Sequence, residues 1–346
     1  MPNPQPGFDP GGVGTKNGNY FGFPYEEAEA EVLILPAGWD VTTSYREGTS
    51  AGPAAVLEAS PQLDFTSPYR ARAWETRIAS LKPDLKWLEW NRHLRPLARE
   101  VIEALESGRE PDAKCLARVN EGGAVFHRAV EERVRAGLAS GKRVVTLGGD
   151  HSVALGPIRA HAEAFKKISV LHIDAHADLR VAYEGFEHSH ASIMHHVSRL
   201  DSVHALVQVC LRDVSPEEMA YAEENPKVHA HYDWDLRRGT ARGLSWAEQC
   251  RKIIAPLGEL VYVSVDVDGL DPKYCPGTGT PVPGGLELWE MLFLLEEVEA
   301  SGRRFVGADL MEVAPGATEW DANVGARILF QLCQFVRNGM DSKSLP

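Results

Sequence analysis

The sequence predicts an α/β fold on a mainly parallel sheet, and two observations carry that prediction. Short apolar runs rich in Val, Ile and Leu recur at 32–36, 144–147, 168–173, 205–211, 260–267 and 305–310, with little polar alternation. Such runs suit parallel strands covered on both faces. Between them lie stretches with helical periodicity. Residues 122–138 keep apolar side chains on one side and Glu131, Glu132, Arg133 and Arg135 elsewhere, and 287–300 starts acidic and stops before Gly302, a residue suited to cap it. Strand, helix and strand in succession is the α/β pattern.

Domain organisation follows the same pass along the chain. Residues 1–28 form an irregular arm rich in Gly, Pro and Asn, 29–340 read as one domain, and 341–346 as a tail. Within the domain, 64–112 carries Trp74, Trp87 and Trp90 among many charges and is expected to be a helical excursion from the sheet, since no linker flanks it. With 346 residues, 44% hydrophobic and 25% charged, the chain has the composition of a soluble globular protein with a large core. A formal net charge of −13 argues against nucleic-acid binding and favours a neutral or cationic small ligand. Five scattered cysteines without CxxC spacing suggest reduced thiols. No run approaches the roughly 20 apolar residues of a membrane helix and no signal peptide is apparent, so a cytoplasmic protein is expected.

Three motifs at strand ends carry chemistry. After the run 144–147, Gly148 and Gly149 let the chain leave the sheet sharply before Asp150, His151 and Ser152, placing these at the carboxyl edge where open α/β sheets bind ligands. After 168–173 come Asp174, Ala175, His176, Ala177 and Asp178. Alternate residues of an extended chain share a face, so two carboxylates and an imidazole are presented together. Asp266 and Asp268 repeat this logic, with Asp271 before Pro272 reading as a turn residue. Four aspartates without counter-charge repel strongly in a low-dielectric site, and two divalent cations would neutralise them. Oxygen-rich coordination with about one imidazole per ion suits manganese first, with nickel, cobalt or zinc also accommodated. A metal pair roughly 3.5 to 4 Å apart lowers the pKa of a shared water, which makes hydrolysis the natural reaction class.

As an ordered set, GGDHS, DAHAD and SVDVDGLDP resemble the ureohydrolase family, which includes arginase and agmatinase, over about 30–339. The resemblance implies a three-layer α/β/α sandwich around a mainly parallel sheet of about eight strands, assembled as a homotrimer or homohexamer. It implies that one ion is held by His151, Asp174, Asp178 and Asp266 and the other by Asp174, His176, Asp266 and Asp268, with Asp174 and Asp266 bridging. Glu312 matches the glutamate that grips the guanidinium, and a carboxylate offers paired acceptors to that planar fork. His190 matches the histidine that passes a proton to the leaving amine, although His188, His195 and His196 crowd the same stretch. Ser192 and Trp320 are further candidates for touching substrate. Residues 45–53 resemble the family's glycine-rich entrance loop, and 276–281 a pocket wall. Val282 stands where many agmatinases carry Glu, and 316–323 lacks their Tyr-Asp-His run, which leaves the substrate open among guanidino compounds. The expected activity is release of urea and an amine, agmatine leading, with guanidinobutyrate or free guanidine as alternatives. A non-catalytic partner subunit is disfavoured because all six ligand residues are present.

Overall fold

The computed structural model describes residues 8–339, so the tail 341–346 and residues 1–7 of the arm lie outside the described residues. Eight strands form a single, wholly parallel sheet in the order β2-β1-β3-β8-β7-β4-β5-β6. In chain order they are β1 (Val32–Ala37), β2 (Ile78–Ser80), β3 (Arg143–Gly148), β4 (Ile168–Ile173), β5 (Val203–Leu211), β6 (Val228–Tyr232), β7 (Leu260–Asp266) and β8 (Arg304–Met311). The six apolar runs are all strands. The two strands not foreseen are the sheet's edges, β2 and β6. β2 has three residues, and β6 interleaves His229 and His231 with apolar residues, so neither shows an apolar run.

Among the described residues, ten α-helices connect and cover the strands. They are α1 (Gly52–Ala59), α2 (Leu85–Glu106), α3 (Ala113–Ala139), α4 (Leu155–Phe165) and α5 (Ile193–Ser198) in the first part of the chain. The second part adds α6 (Pro216–Glu224), α7 (Asp233–Ala241), α8 (Trp246–Ile254), α9 (Leu288–Ala300) and α10 (Trp320–Asn338). Asp84 and Asp112 cap α2 and α3 by accepting from the backbone N–H two residues on, as short acidic caps do. Gly302, at a φ of +85°, follows α9 in the left-handed turn that ends such helices.

Except in the edge strand β6, alternate residues of the strands enter two separate cores. Val32, Ile34, Leu171, Ile173, Val263 and Val265 pack with α8, α9 and α10 on one face. Leu33, Leu35, Ile168, Val170 and Tyr262 pack with α2, α3, α4 and α5 on the other. Both faces are therefore covered, which is why the strands lack polar alternation. Among the described residues no helix is long and apolar enough to cross a membrane.

The segment 64–112 does more than make a helical excursion: it supplies β2, which pairs with β1 at Ile78–Val32, and then α2. The arm is stitched to this edge, with Tyr20 N–H donating to Ser80 Oγ at 2.8 Å and Tyr20 O–H to the Pro53 carbonyl at 2.9 Å.

Candidate metal centre

The strand order explains how residues 161 positions apart meet. β3, β8, β7 and β4 are consecutive neighbours in the sheet, and their carboxyl ends carry His151, Glu312, Asp266 with Asp268, and Asp174 with His176 and Asp178. Two close backbone approaches fix the turns. A Cβ at Gly149 would lie 1.9 Å from the Trp39 carbonyl oxygen, and one at Gly269 would lie 2.7 Å from Asp174 N, so only glycine fits either place. Asp178 and Glu312 have φ of +53° and +63°, a left-handed conformation uncommon for residues other than glycine, and such strain gathers at functional sites.

Two groups of donor atoms result. His151, His172, Asp174 and Asp178 place one donor atom each within 4.8 Å of the others, as do Asp174, His176 and Asp268. His151 Nδ1 lies 3.0 Å from Asp174 Oδ2, 3.1 Å from Asp266 Oδ2 and 3.6 Å from Asp178 Oδ2. His176 Nδ1 lies 3.1 Å from Asp268 Oδ2 and 3.4 Å from Asp174 Oδ1. The four aspartates are all buried. Among the described residues, no lysine or arginine forms an ion pair with any of them.

Electrostatics shows that side chains alone leave this cluster unbalanced. Burial, and then the neighbouring Asp174, push the Asp178 carboxyl well above its usual range, and burial with Asp268 and Asp174 does the same to Asp266. Burial opposes charge on His151, yet its contacts with Asp174 and Asp266 outweigh that and raise it well above an ordinary imidazole. At an effective dielectric of about 20, like charges about 4 Å apart repel by about 4 kcal/mol. The donor set, four carboxylates with imidazole at each end, fits two divalent cations, which would relieve that repulsion.

Hydrogen bonds behind the cluster orient it. Ser264 Oγ donates to Asp309 Oδ1 at 2.7 Å, so its lone pairs accept from His151 Nε2 at 2.9 Å. This places the His151 proton on Nε2 and turns Nδ1 toward the aspartates. Tyr262 O–H holds the other oxygen of Asp309 at 2.8 Å. His172 Nε2 lies 2.8 Å from Asp174 Oδ2, and its Nδ1 lies 3.0 Å from Gln208 Nε2. Sequence reading missed these residues. The signal was nevertheless there, because Ser264 and His172 each stand two residues before an aspartate of the cluster, on the same strand face.

Glu312 and His190 also sit in this neighbourhood. Glu312 Oε1 accepts from His151 N–H at 3.0 Å, while its Oε2 is buried without a hydrogen-bond partner. Burial, then Asp266 and Asp150, push Glu312 well above its usual range. A cavity of about 170 Å³ is lined by Ser44, His176, Asp178, Tyr183, His190 and Asp213, among others. Burial, then the His176 and His151 charges, hold His190 down at about 4.

Ser192 and Trp320 each find hydrogen-bond partners within the protein. Ser192 completes a capping box with Ser189, and its hydroxyl donates to the Glu187 and Ser189 carbonyls at 3.0 and 3.1 Å. Trp320 opens α10, half exposed, with Nε1 donating to the Lys273 carbonyl at 2.9 Å. It does not line the cavity beside His190.

The comparisons agree with this architecture. The arginase family model matches residues 30–334. The chain is 33% identical over 293 residues to N(1)-aminopropylagmatine ureohydrolase of Thermus thermophilus, covering 84% of this chain and 85% of that one. It is 30% identical over 311 residues to agmatinase of Bacillus subtilis, covering 89% and 92%. Among solved structures, proclavaminate amidino hydrolase from Streptomyces clavuligerus shares the fold at a TM-score of 0.70 and 23% identity, with 93% of this chain and 97% of that one covered. By the extent of the family match and these relatives, the chain belongs to the arginase family and is a ureohydrolase, a hydrolase acting on C–N bonds.

Proposed function

We propose that this ureohydrolase cleaves a small guanidino compound with a cationic tail, agmatine first, to urea and an amine. The observation that carries the reading is the buried Glu312 Oε2, an acceptor with no donor beside the metal-ligand cluster. A guanidinium supplies the missing N–H donors and the balancing charge, and a hydrogen bond to a charged group is worth about 1.5–3 kcal/mol. The tail preference rests on Asp213, whose exposed carboxylate lines the cavity and, among the described residues, has only His176 Nε2, at 3.9 Å, within ion-pair reach. Arg180, the cavity's cation, lies 3.7 Å from Glu218 and stacks on Tyr183, which disfavours an anionic tail such as that of guanidinobutyrate.

We assign one cation to His151, Asp174, Asp178 and Asp266, and the other to Asp174, His176, Asp266 and Asp268, with manganese preferred and nickel accommodated. When bound, the pair supplies a water nucleophile at neutral pH and Lewis acidity. Asp178 accepts a hydrogen bond from the attacking water and orients it. Glu312 holds the guanidinium planar and in place as its carbon becomes tetrahedral. His190, neutral on the cavity wall, takes up a proton and delivers it to the departing amine. We expect a homotrimer or homohexamer, which light scattering measures directly.

Urea release from agmatine, guanidinobutyrate, guanidine and arginine, after chelator treatment and reloading with manganese or nickel, tests the proposal. Agmatine should give the highest kcat/KM, and only with added metal. A preference for guanidinobutyrate would overturn the cationic tail, and full turnover after chelation would overturn the metal assignment.

A further inference from the structure

Helix α2 reaches across the molecule to the segment that leaves β1 and roofs the cavity. Asn91, Arg95 and Arg99 are spaced by four residues and so share one stripe of the helix. Asn91 and Asp40 exchange two hydrogen bonds, Asp40 N–H to Asn91 Oδ1 and Asn91 Nδ2 to Asp40 Oδ1, each 2.8 Å. The other oxygen of Asp40 accepts from Gly48 N–H at 2.9 Å and Ser50 N–H at 3.2 Å, pinching 40–50 into a closed loop.

Arg95 holds the centre of that loop. Its Nη1 donates to the Val41 and Thr43 carbonyls at 2.9 and 2.7 Å, and its Nε donates to Glu47 Oε2 at 3.0 Å. Arg99 grips both oxygens of Glu47 at 2.6 Å. With 14% of its side chain exposed, Arg95 is a largely buried guanidinium whose donors point at both flanks of the loop tip. A lysine carries no planar fork and cannot serve three acceptors in these directions.

The loop tip lies over the site. Ser44 lines the cavity with His176, Asp178 and His190. Glu312 Oε2, the Arg46 carbonyl oxygen and Thr43 Cγ2 all lie within 4.0 Å of where a Cβ would stand on Gly279. The roof and the unpartnered oxygen of Glu312 thus share one small space. On the other side, Arg46 Nη1 donates to the Pro276 carbonyl at 3.2 Å.

We propose that Arg95, braced by Asn91 and Arg99, is a positioning residue that clamps the 40–48 loop over Glu312 and thereby sets how tightly the guanidino substrate is held. The kinetic half of this inference rests on the proposed function; the clamp itself rests on geometry alone. Two readouts keep these apart. Hydrogen exchange of the 41–50 amides, measured on manganese-loaded full-length protein, reports the clamp whatever the substrate is. In Arg95→Ala those amides should exchange about tenfold faster, while amides of β4 and β7 stay unchanged.

With agmatine, KM should rise about tenfold in Arg95→Ala and kcat should change less than about threefold, with bound manganese still at the wild-type level. Arg95→Lys should recover only part of the KM, and Glu47→Gln, a milder loosening that serves if Arg95→Ala folds poorly, should raise KM by about threefold. Unchanged exchange at 41–50 in both Arg95→Ala and Glu47→Gln overturns the clamp. Faster exchange with unchanged KM overturns its role in substrate binding. Loss of manganese together with activity would make Arg95 a general structural residue and also overturn the proposal. Absence of urea from wild-type protein with every guanidino compound sinks the proposed substrate class and leaves the exchange test standing.

Discussion

Two clusters of imidazoles lie in this molecule, and they are built on opposite principles. In the first, His151, His172 and His176 each face an aspartate within 3.1 Å. In the second, His127, His188 and His196 face one another, with ring centroids 5.2 Å apart for each successive pair, and His195 lies 5.9 Å from His196. Among the described residues, none of these four is in ion-pair contact with a carboxylate. Burial acts against charge in both clusters, but in the first the aspartates reverse the outcome at His151 and His176, while His172 stays below an ordinary imidazole. His151 and His176 are raised well above an ordinary imidazole, whereas His127 is lowered well below it and His188 to about 4. Counting histidines therefore does not locate a metal centre; the surplus of buried negative charge beside them does.

Removing one charge should break the first cluster most severely. Asp268→Asn keeps the shape and loses the anion. Turnover should fall by about 100-fold or more, with bound manganese dropping from two ions toward one, as read by elemental analysis. A variant that keeps both ions and full activity would remove the electrostatic basis of the contrast. Glu312→Gln should spare the metals, because the amide still accepts from His151 N–H. It should nevertheless cost kcat/KM about 10- to 100-fold, because the charged acceptor for the guanidinium is gone.

Smaller perturbations sharpen the same contrast. Ser264→Ala frees His151 Nε2 from its fixed acceptor, and manganese affinity should weaken by about tenfold in a calorimetric titration. The second cluster should respond to acid and not to metal. His127, His188 and His195 have folded pKa values below the unfolded value of about 6.5, so their neutral forms contribute stability that is complete above about pH 6.5. That contribution is lost as pH falls toward about 4, the value to which His188 is lowered, and Tm should decline over this window even in chelator-treated protein. His127→Gln should shrink the acid-induced decline in Tm by about 2 °C, measured by scanning calorimetry at pH 7 and pH 5.

What could be read ahead of the structure was local and periodic. Asp174, His176 and Asp178 announce themselves because an apolar strand runs straight into alternating carboxylates and imidazole, and Asp266 with Asp268 repeats the pattern. β2 and β6 escaped because an edge strand needs no continuous apolar run, and a three-residue strand has no period to detect. Arg95 and Glu47 escaped for another reason. They are 48 residues apart, and nothing in either segment's own pattern says that α2 will lie across the loop. Ser192, a candidate from sequence for touching substrate, has its hydroxyl engaged in the capping box with Ser189, a local contact that a reading centred on strand ends does not weigh.

The position of β8 has a consequence for the life of the chain on the ribosome. It is the last strand to be synthesised, yet it sits between β3 and β7 in the middle of the sheet. Until residues 304–311 emerge, the nascent protein holds two half-sheets whose inner edges expose unpaired N–H and C=O groups. Closure of that gap also delivers Glu312, so the acid proposed to hold the guanidinium arrives together with the strand that completes the scaffold. A chain cut short before residue 304 would have neither, and would present two open seams to its neighbours.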